Sequence, residues 1–512
     1  MTAPNADTTR GADRHDVAHA ARSGGVQVLT VAAQALLTIT HVLLARLFGR
    51  AVFGSYQAAL AILEMVTRGG TGGADKGMLR YVAAHRATGD VDGVRSALGT
   101  GLRLCLLISG SAVALLILTA GPLAHLAHEP KLETALRLMA PAALLTGCMW
   151  VLVQASLAAK VSRANFYVRG LGEPTFMLVA GLTAAIFGRS LSTLAIAHLV
   201  ATSATLALAI VVVGRVFGRN ELRRALRAPR LAGFAHFSLP LGAGELLNAI
   251  LQRADILLLT SFAGTSAAAV YAASEFITRV IASARSVFDS VAAPVFAEAL
   301  QLGQPERLRQ NLVLMTRWVV SVAAPVAVTV FVMRHDLLAL YGRDFQEGAT
   351  AVAVLTLSHL INVSFGLSGW ILVAGGRSQL ILKNNVAVAV VNIGMGVTLI
   401  PRLGLLGTAL ASLGSVSLLH LLVLIEVRVA FGAYPFDRRI LKPLAAAVVA
   451  LGAESLLGAR IAEAGLRVPL VIVIGAVSYL AVLVGLGLAP EERRLAKSLR
   501  ARLRAWRASG SA

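Results

Sequence analysis

Residues 190–214 read SLSTLAIAHLVATSATLALAIVVVG, with no Asp, Glu, Lys or Arg before Arg215 closes the run. A helix rises 1.5 Å per residue, so roughly 20 such residues cross about 30 Å of hydrocarbon. The apolar positions are continuous and rich in Ala and Leu. The alternation that a membrane strand needs, one face to lipid and one to the lumen, is absent. This stretch predicts a transmembrane helix, and it sets the template for the rest of the chain.

Working outward, fourteen segments of this kind follow one another, at about 24–48, 53–84, 96–120, 132–158, 166–187, 190–214, 236–262, 267–297, 312–333, 347–373, 379–400, 404–427, 441–459 and 468–488. The second and eighth are long enough to project beyond a bilayer. Across all 512 residues, 57% are apolar and only 14% charged. A soluble domain carries about a quarter charged residues to keep its surface wet. The fold class is therefore an all-α polytopic membrane protein. Residues 1–23 are polar and are expected to be a disordered tail. They do not read as a cleavable signal peptide, because the first apolar run is too long and continues into the bundle.

The net charge of +21 is mostly a topology signal. With the N-terminus in the cytoplasm, loops and tails on that side carry about 29 Lys and Arg, against about nine outside. One cluster, Arg215, Arg219, Arg223, Arg224, Arg227 and Arg230, joins segments six and seven. A second, Arg493, Arg494, Lys497, Arg500, Arg502, Arg504 and Arg507, ends the chain. An even number of spans puts both on one side, which predicts two cytoplasmic termini. Basic residues interleaved with aromatics, as in a nucleic-acid reader, are missing, so nucleic acid is not an expected partner. In the tail, Leu495, Leu499, Leu503 and Trp506 recur at helical spacing. An amphipathic helix on the anionic leaflet and a solvated basic tail both fit that pattern.

Enzymatic chemistry finds little to stand on. No interhelical loop exceeds roughly twenty residues, too short for a soluble catalytic domain. The glycine-rich stretch Gly69 to Gly77 lacks the Gly-Lys-Ser/Thr ending of a nucleotide loop and lies within segment two, where close helix packing or a kink is expected. No Cys/His set has metal-ligand spacing, so neither a metal nor a cofactor is expected. Cys105 and Cys148 read as small packing residues. His41, His198, His359 and His420 read as single histidines bonded within the bundle.

The stretch His41, Phe48, Tyr56, Ala58 is echoed by Asp255, Phe262, Tyr271, Ala273, with a one-residue gap. Six segments separate the copies. An even offset gives parallel halves, segments one to six and seven to twelve, with two appended. The expected organisation is a tail at 1–23, an N-lobe at 24–214, a basic linker at 215–235, a C-lobe at 236–430, two further spans at 431–489 and a basic tail at 490–512.

These residues resemble the polysaccharide-export flippases of the multidrug/oligosaccharidyl-lipid/polysaccharide exporter superfamily. Four stretches carry the resemblance: Ala45-Arg46-Leu47-Phe48-Gly49 with Phe53-Gly54-Ser55-Tyr56; Ser238-Leu239-Pro240-Leu241 with Arg253-Ala254-Asp255 and Tyr271-Ala272-Ala273; Leu340-Tyr341-Gly342 with Ala374-Gly375-Gly376-Arg377; and Leu399 to Ala411. Their order and spacing cover most of residues 24–430. The resemblance implies two six-helix lobes around a cavity that opens alternately to each side. It also implies a polyprenyl-pyrophosphate-linked oligosaccharide as substrate, membrane lipids and polysaccharide-assembly proteins such as a polymerase as partners, and a bacterial inner-membrane location.

Ionisable residues in hydrocarbon are costly, so those retained are functional candidates. Segments two, seven and eight carry nearly all of them. Arg68, Arg253 and Arg279 fall near mid-depth, and Lys76, Arg80 and Arg285 nearer the cytoplasmic mouth. A planar guanidinium stays charged in a poorly hydrated site and grips two phosphate oxygens at once, which suits a pyrophosphate. The inner group would attract the headgroup and the middle group hold it. Glu64, Asp255, Glu275 and Glu245 are candidate gates or proton sites. A bracing reading stays open beside this one: Glu64 with Arg68, and Glu275 with Arg279, are four residues apart and can neutralise each other on one helix face. Two rival functions also stay open, a cation-coupled drug exporter of the same superfamily and a membrane glycan ligase or polymerase.

Overall fold

The computed structural model describes residues 6–161, 163–461 and 464–487, with side chains from Leu36 onward at all but a few positions. Every long element is a helix. In chain order they are α1 (Ala6–Gly70), α2 (Ala74–Ala87), α3 (Val91–Leu126), α4 (Lys131–Ala158), α5 (Arg163–Asn165), a π-helical stretch (Phe166–Gly172), α6 (Glu173–Phe187), α7 (Leu191–Phe217), α8 (Arg219–Ala225) and α9 (Phe234–Gln301). Then come α10 (Pro305–Val332), α11 (Arg334–Ala339), α12 (Ala349–Phe365), α13 (Ser368–Ala374), α14 (Ser378–Leu403), α15 (Leu405–Phe431), α16 (Leu441–Gly458) and α17 (Ala464–Gly485).

Among the described residues, twelve helical stretches are long and apolar enough to cross a membrane. The sequence predicts fourteen. The difference lies in Leu36–Ala87 and Phe234–Gln301, each of which holds two of the predicted segments. Both are broken at a glycine, Gly49 (φ 77°, ψ 166°) and Gly264 (φ 84°, ψ 169°). A side chain rarely adopts such a φ, so glycine is the residue that lets the chain turn there without loop residues. The two breaks occupy equivalent places in the sequence repeat, and their dihedrals agree within a few degrees. Tyr56 and Tyr271, which follow them, are both buried.

Of the tail expected at 1–23, the described part begins at Ala6. The backbone is helical from Ala6, where an Ala-rich run contains no proline between Pro4 and Pro122. The basic tail at 490–512 lies outside the described residues.

Packing divides the chain into two compact units, residues 1–270 and 271–512. The division falls inside α9, a few residues after Gly264, so the seventh predicted segment packs with the first six. In the first unit α4 is the central helix, against α1, α2, α3 and α7, and α6 packs on α7 and α1. Its core gathers Met78, Leu98, Leu102, Leu152, Val213 and Phe234. Cys105 and Cys148 are buried there as free thiols. In the second unit α10 contacts α12, α16 and α17, while α15 contacts α12, α13 and α14. Glycine and alanine are used where backbones meet closely. A Cβ on Gly54 would lie 1.8 Å from the Thr265 carbonyl oxygen.

Candidate functional site

In the first unit, the break between α1 and α2 positions the charges. Gly72 (φ 55°) and Gly73 (φ 69°) turn the chain inside the membrane span, where the sequence predicts packing or a kink. A Cβ on Gly73 would lie 2.1 Å from the Ser238 carbonyl oxygen, and one on Gly242 would lie 2.5 Å from the Gly73 nitrogen. The backbone of α9 therefore rests directly on the turn. Glu245, less than one helical turn beyond Gly242, is delivered to α1 and α2.

The result is a ladder of alternating charge. Arg253 Nε donates to Glu64 Oε2 at 2.7 Å, and its Nη2 stands 2.5 Å from the same oxygen. Glu64 Oε1 faces Arg68 Nη2 at 3.8 Å, and Arg68 Nη1 reaches Glu245 Oε2 at 3.5 Å. Lys76 Nζ stands 3.3 Å from Glu245 Oε1 and 3.6 Å from Asp75 Oδ2. The Arg253, Arg68, Glu64 and Glu245 side chains are 22–35% exposed, so the ladder is open and not enclosed by protein. At an effective dielectric near 20, two charges about 4 Å apart attract by roughly 4 kcal/mol. Hydration and side-chain entropy cancel most of that where water penetrates. The ladder is therefore stable at rest yet open to competition from a multivalent anion.

Five of the ten predicted site residues thus come together: Arg68, Arg253, Lys76, Glu64 and Glu245. Arg80 is set apart, its guanidinium over the rings of Phe237 (4.4 Å) and Tyr81 (5.5 Å). Asp255 is half-buried on α9, two residues and about half a helical turn beyond Arg253. Arg279, Arg285 and Glu275 fall in the second unit. Arg279 Nη2 bonds Glu275 Oε1 at 2.6 Å. Arg285 donates to Asn362 Oδ1 at 2.5 Å and faces Asp289 Oδ2 at 3.4 Å, while Asp289 Oδ1 accepts from Trp370 Nε1 at 2.8 Å. Bracing and ligand roles are not exclusive in this geometry. Arg279 and Arg285, like Arg68 and Arg253, each have an acidic neighbour, and Arg80 has aromatic ones.

Sequence reading missed a second group in the first unit. The π-helical stretch Phe166–Gly172 carries Arg169, which lies over the Trp150 ring at 5.4 Å, and Arg68 lies over the same ring at 4.5 Å. Glu173, four residues on, lines a cavity of about 170 Å³ with Tyr56, Gln57, His41, His198 and Thr202. Tyr56 bonds His198 Nδ1 at 2.9 Å and Gln57 bonds His41 Nε2 at 2.9 Å, so these two histidines are held within the bundle as expected. His420 differs: both its ring nitrogens are enclosed without a hydrogen-bond partner among the described residues, and its ring stacks on Phe365. The available signal was a charged pair, Arg169 and Glu173, inside the fifth predicted segment. Among the described residues no cluster of three or more His, Cys, Asp or Glu is arranged to hold a metal ion.

The family model described as polysaccharide biosynthesis protein matches residues 43–350. No curated protein matches the chain. Among solved structures, the lipid II flippase MurJ in an inward closed conformation aligns with a TM-score of 0.69 at 12% identity, over 89% of this chain and 97% of its own. An inward-facing multidrug resistance MATE family transporter of the MOP superfamily aligns at 0.65 and 12%, over 78% and 98%. A MOP superfamily transporter from Pyrococcus furiosus aligns at 0.56 and 13%, over 79% and 93%. At such identities the likeness is one of fold.

Proposed function

The chain belongs to the family of polysaccharide biosynthesis proteins, and from that premise we propose that it is a flippase for a polyprenyl-pyrophosphate-linked oligosaccharide. It carries the sugar headgroup across the bacterial inner membrane by alternating access, for O-antigen, capsule or exopolysaccharide synthesis, and forms no covalent intermediate. Both termini are cytoplasmic in this reading, and an assembly protein such as a polymerase takes the product on the far side.

The observation that carries the reading is the ladder Arg253, Glu64, Arg68, Glu245, Lys76 within one compact unit of a multi-pass membrane protein. Three cations are matched by Glu64, Glu245 and Asp75, so the ladder is near neutral. A pyrophosphate brings two or more negative charges and can displace the carboxylates, because bidentate guanidinium–phosphate contacts match or exceed those to a carboxylate. Glu64 and Glu245 then lose their partners. They must rotate toward water or take up a proton, which makes them gates that register occupancy. Arg80, Arg279 and Arg285 are additional headgroup contacts in this scheme, and Asp255 and Glu275 additional gates.

Reconstitution into liposomes tests it. A lectin or glycosidase outside would report lipid-linked oligosaccharide reaching the far leaflet. Wild type should deliver it, and Arg68→Ala and Arg253→Ala should not, at matched protein levels. Efflux of cationic dyes with no sugar-lipid movement would replace this function with drug export.

A further inference from the structure

The charge ladder leaves one question of chemistry: which cation is ready for a phosphate before any carboxylate moves. Arg68 has Glu64 and Glu245 within 3.8 Å, Arg253 has Glu64, and Lys76 has Glu245 and Asp75. Arg169 makes no close ion pair and no hydrogen bond among the described residues; Glu173, four positions away, acts on it only as a more distant charge. Its side chain is exposed, within a membrane span running Arg163–Phe187. An exposed guanidinium there without a close ion pair is costly unless it faces a polar interior.

Two features hold it in place. Its guanidinium carbon lies over the Trp150 ring at 5.4 Å. That contact uses the flat face of the cation and leaves its edge of N–H donors unspent. The second feature is the backbone. The stretch Phe166–Gly172 is π-helical, and the Glu173 N–H bonds the Val168 carbonyl five residues back. Such turns are rare and often mark functional sites, because the extra residue re-aims the side chains beside it. The same indole carries Arg68 at 4.5 Å, so Arg169 is tied to the ladder through one shared ring.

We propose that Arg169, held over Trp150 beside Arg68, is a first-contact site for the pyrophosphate group of the substrate. This deepens the flippase reading and rests on it. Arg169 takes phosphate oxygens on its open edge, and Arg68 follows by exchanging a carboxylate oxygen for a phosphate oxygen.

The test is equilibrium binding to the full chain in nanodiscs, by calorimetry and by the Trp150 contribution to fluorescence, defined by Trp150→Phe. Two probes are used, inorganic pyrophosphate and farnesyl pyrophosphate, so that a lipid-borne group and a free anion are read separately. Arg169→Gln should weaken both by about tenfold, as expected for a lost charge-assisted contact, and Arg169→Lys should recover part of the loss. Arg189→Gln, on the exposed loop after α6, should bind like wild type. A loss confined to the farnesyl probe would overturn the proposal, since the missing contact would then be with the chain. Wild-type affinity in Arg169→Gln alongside loss in Arg68→Gln would overturn it and leave the flippase reading intact. Failure of wild type to bind either probe would sink both.

Discussion

Glu64 on α1 accepts a 2.7 Å hydrogen bond from Arg253 Nε on α9 and lies 2.5 Å from its Nη2, across 189 positions of sequence. Spacing along a helix suggests Arg68 as the neighbour of Glu64, and Arg68 is indeed near, at 3.8 Å. The shorter contact is the long-range one. It ties the seventh predicted segment to the second inside one compact unit, so the pair is both a brace and a reserve of charge for a ligand.

A double-mutant cycle separates those roles. Glu64→Gln and Arg253→Gln should each lower heat stability in detergent, with a coupling of about 1–3 kcal/mol between them. For transport the singles should differ: Arg253→Gln should abolish it, while Glu64→Gln should keep measurable flipping because the cation survives. Equal loss of transport in both singles, tracking stability, would reduce the pair to a brace.

The glycine turn at the head of α2 is a second place where geometry makes a sharp expectation. Gly73 has φ +69° and no room for a Cβ, which would sit 2.1 Å from a carbonyl oxygen of α9. Neither the strain nor the clash can be relieved by rotating a side chain. Gly73→Ala and Gly242→Ala should each cost about 2 kcal/mol or more in folded stability and reduce the yield of folded protein. Gly110→Ala, which meets nothing within 4 Å on α3, is the control and should be neutral or slightly stabilising. Thermal unfolding in one detergent compares the three.

The membrane helices were legible because each follows from a run of apolar residues, a local property that no partner can overrule. The repeat was read from His41, Phe48, Tyr56 and Ala58 against Asp255, Phe262, Tyr271 and Ala273, whereas the positive-φ breaks at Gly49 and Gly264 beside them came only with the backbone. Partner choice was not legible. Nothing in the spacing of Glu245 announces Lys76 and Arg68, since the approach depends on Gly242 resting against Gly73. Arg169 was hidden differently. Near the start of a span it looks like an ordinary flanking cation, and only the π-helical stretch and Trp150 give it a place. Glu454 was overlooked as well, a fully buried acid whose Oε1 accepts from Thr329 at 2.8 Å, with Gly475 making the room.

The basic segment after α7 is strapped to α3. Arg95 bonds Glu221, Arg103 Nη1 donates to the Ala228 carbonyl at 2.8 Å, and the Leu231 N–H bonds Thr100 Oγ1 at 2.9 Å. The Arg95 hydrogen bond holds the Glu221 carboxyl below its ordinary value of 4.5, with Arg224 adding to the effect. A depressed acid contributes above that ordinary value and its contribution fades as pH falls through the lower one. Hydrogen exchange over residues 221–231 should therefore show the same protection at pH 7 and pH 5.5, and Glu221→Gln should lose it at both. A rise in exchange already at pH 5.5 in wild type would contradict the pairing. Because Arg223, Arg224, Arg227 and Arg230 stay exposed, trypsin should cut here in inverted membrane vesicles and not in right-side-out ones. Cleavage from the other side would reverse the proposed topology.

In the second unit, Gly366 is the seat of Arg285. A Cβ there would lie 2.0 Å from Arg285 Nη1, 2.9 Å from its Cδ and 2.5 Å from the Asn362 carbonyl oxygen. The guanidinium end is flexible and the carbonyl is not, so Gly366→Ala should swing Arg285 away, breaking its 2.5 Å bond to Asn362, and shift the end of α12. The fold should survive, with heat stability lowered by about 1–3 kcal/mol through the lost bond and the backbone strain. Transport should fall by about tenfold if Arg285 meets the headgroup, as for loss of a charge-assisted contact. Gly369→Ala, with nothing within 4 Å, should leave both unchanged. Asn362→Ala removes the acceptor without crowding the arginine, so it should loosen Arg285 and cost less transport than Gly366→Ala. Should both variants flip the sugar lipid at the wild-type rate, Arg285 would be a brace for α12, and the headgroup contacts would lie in the first unit.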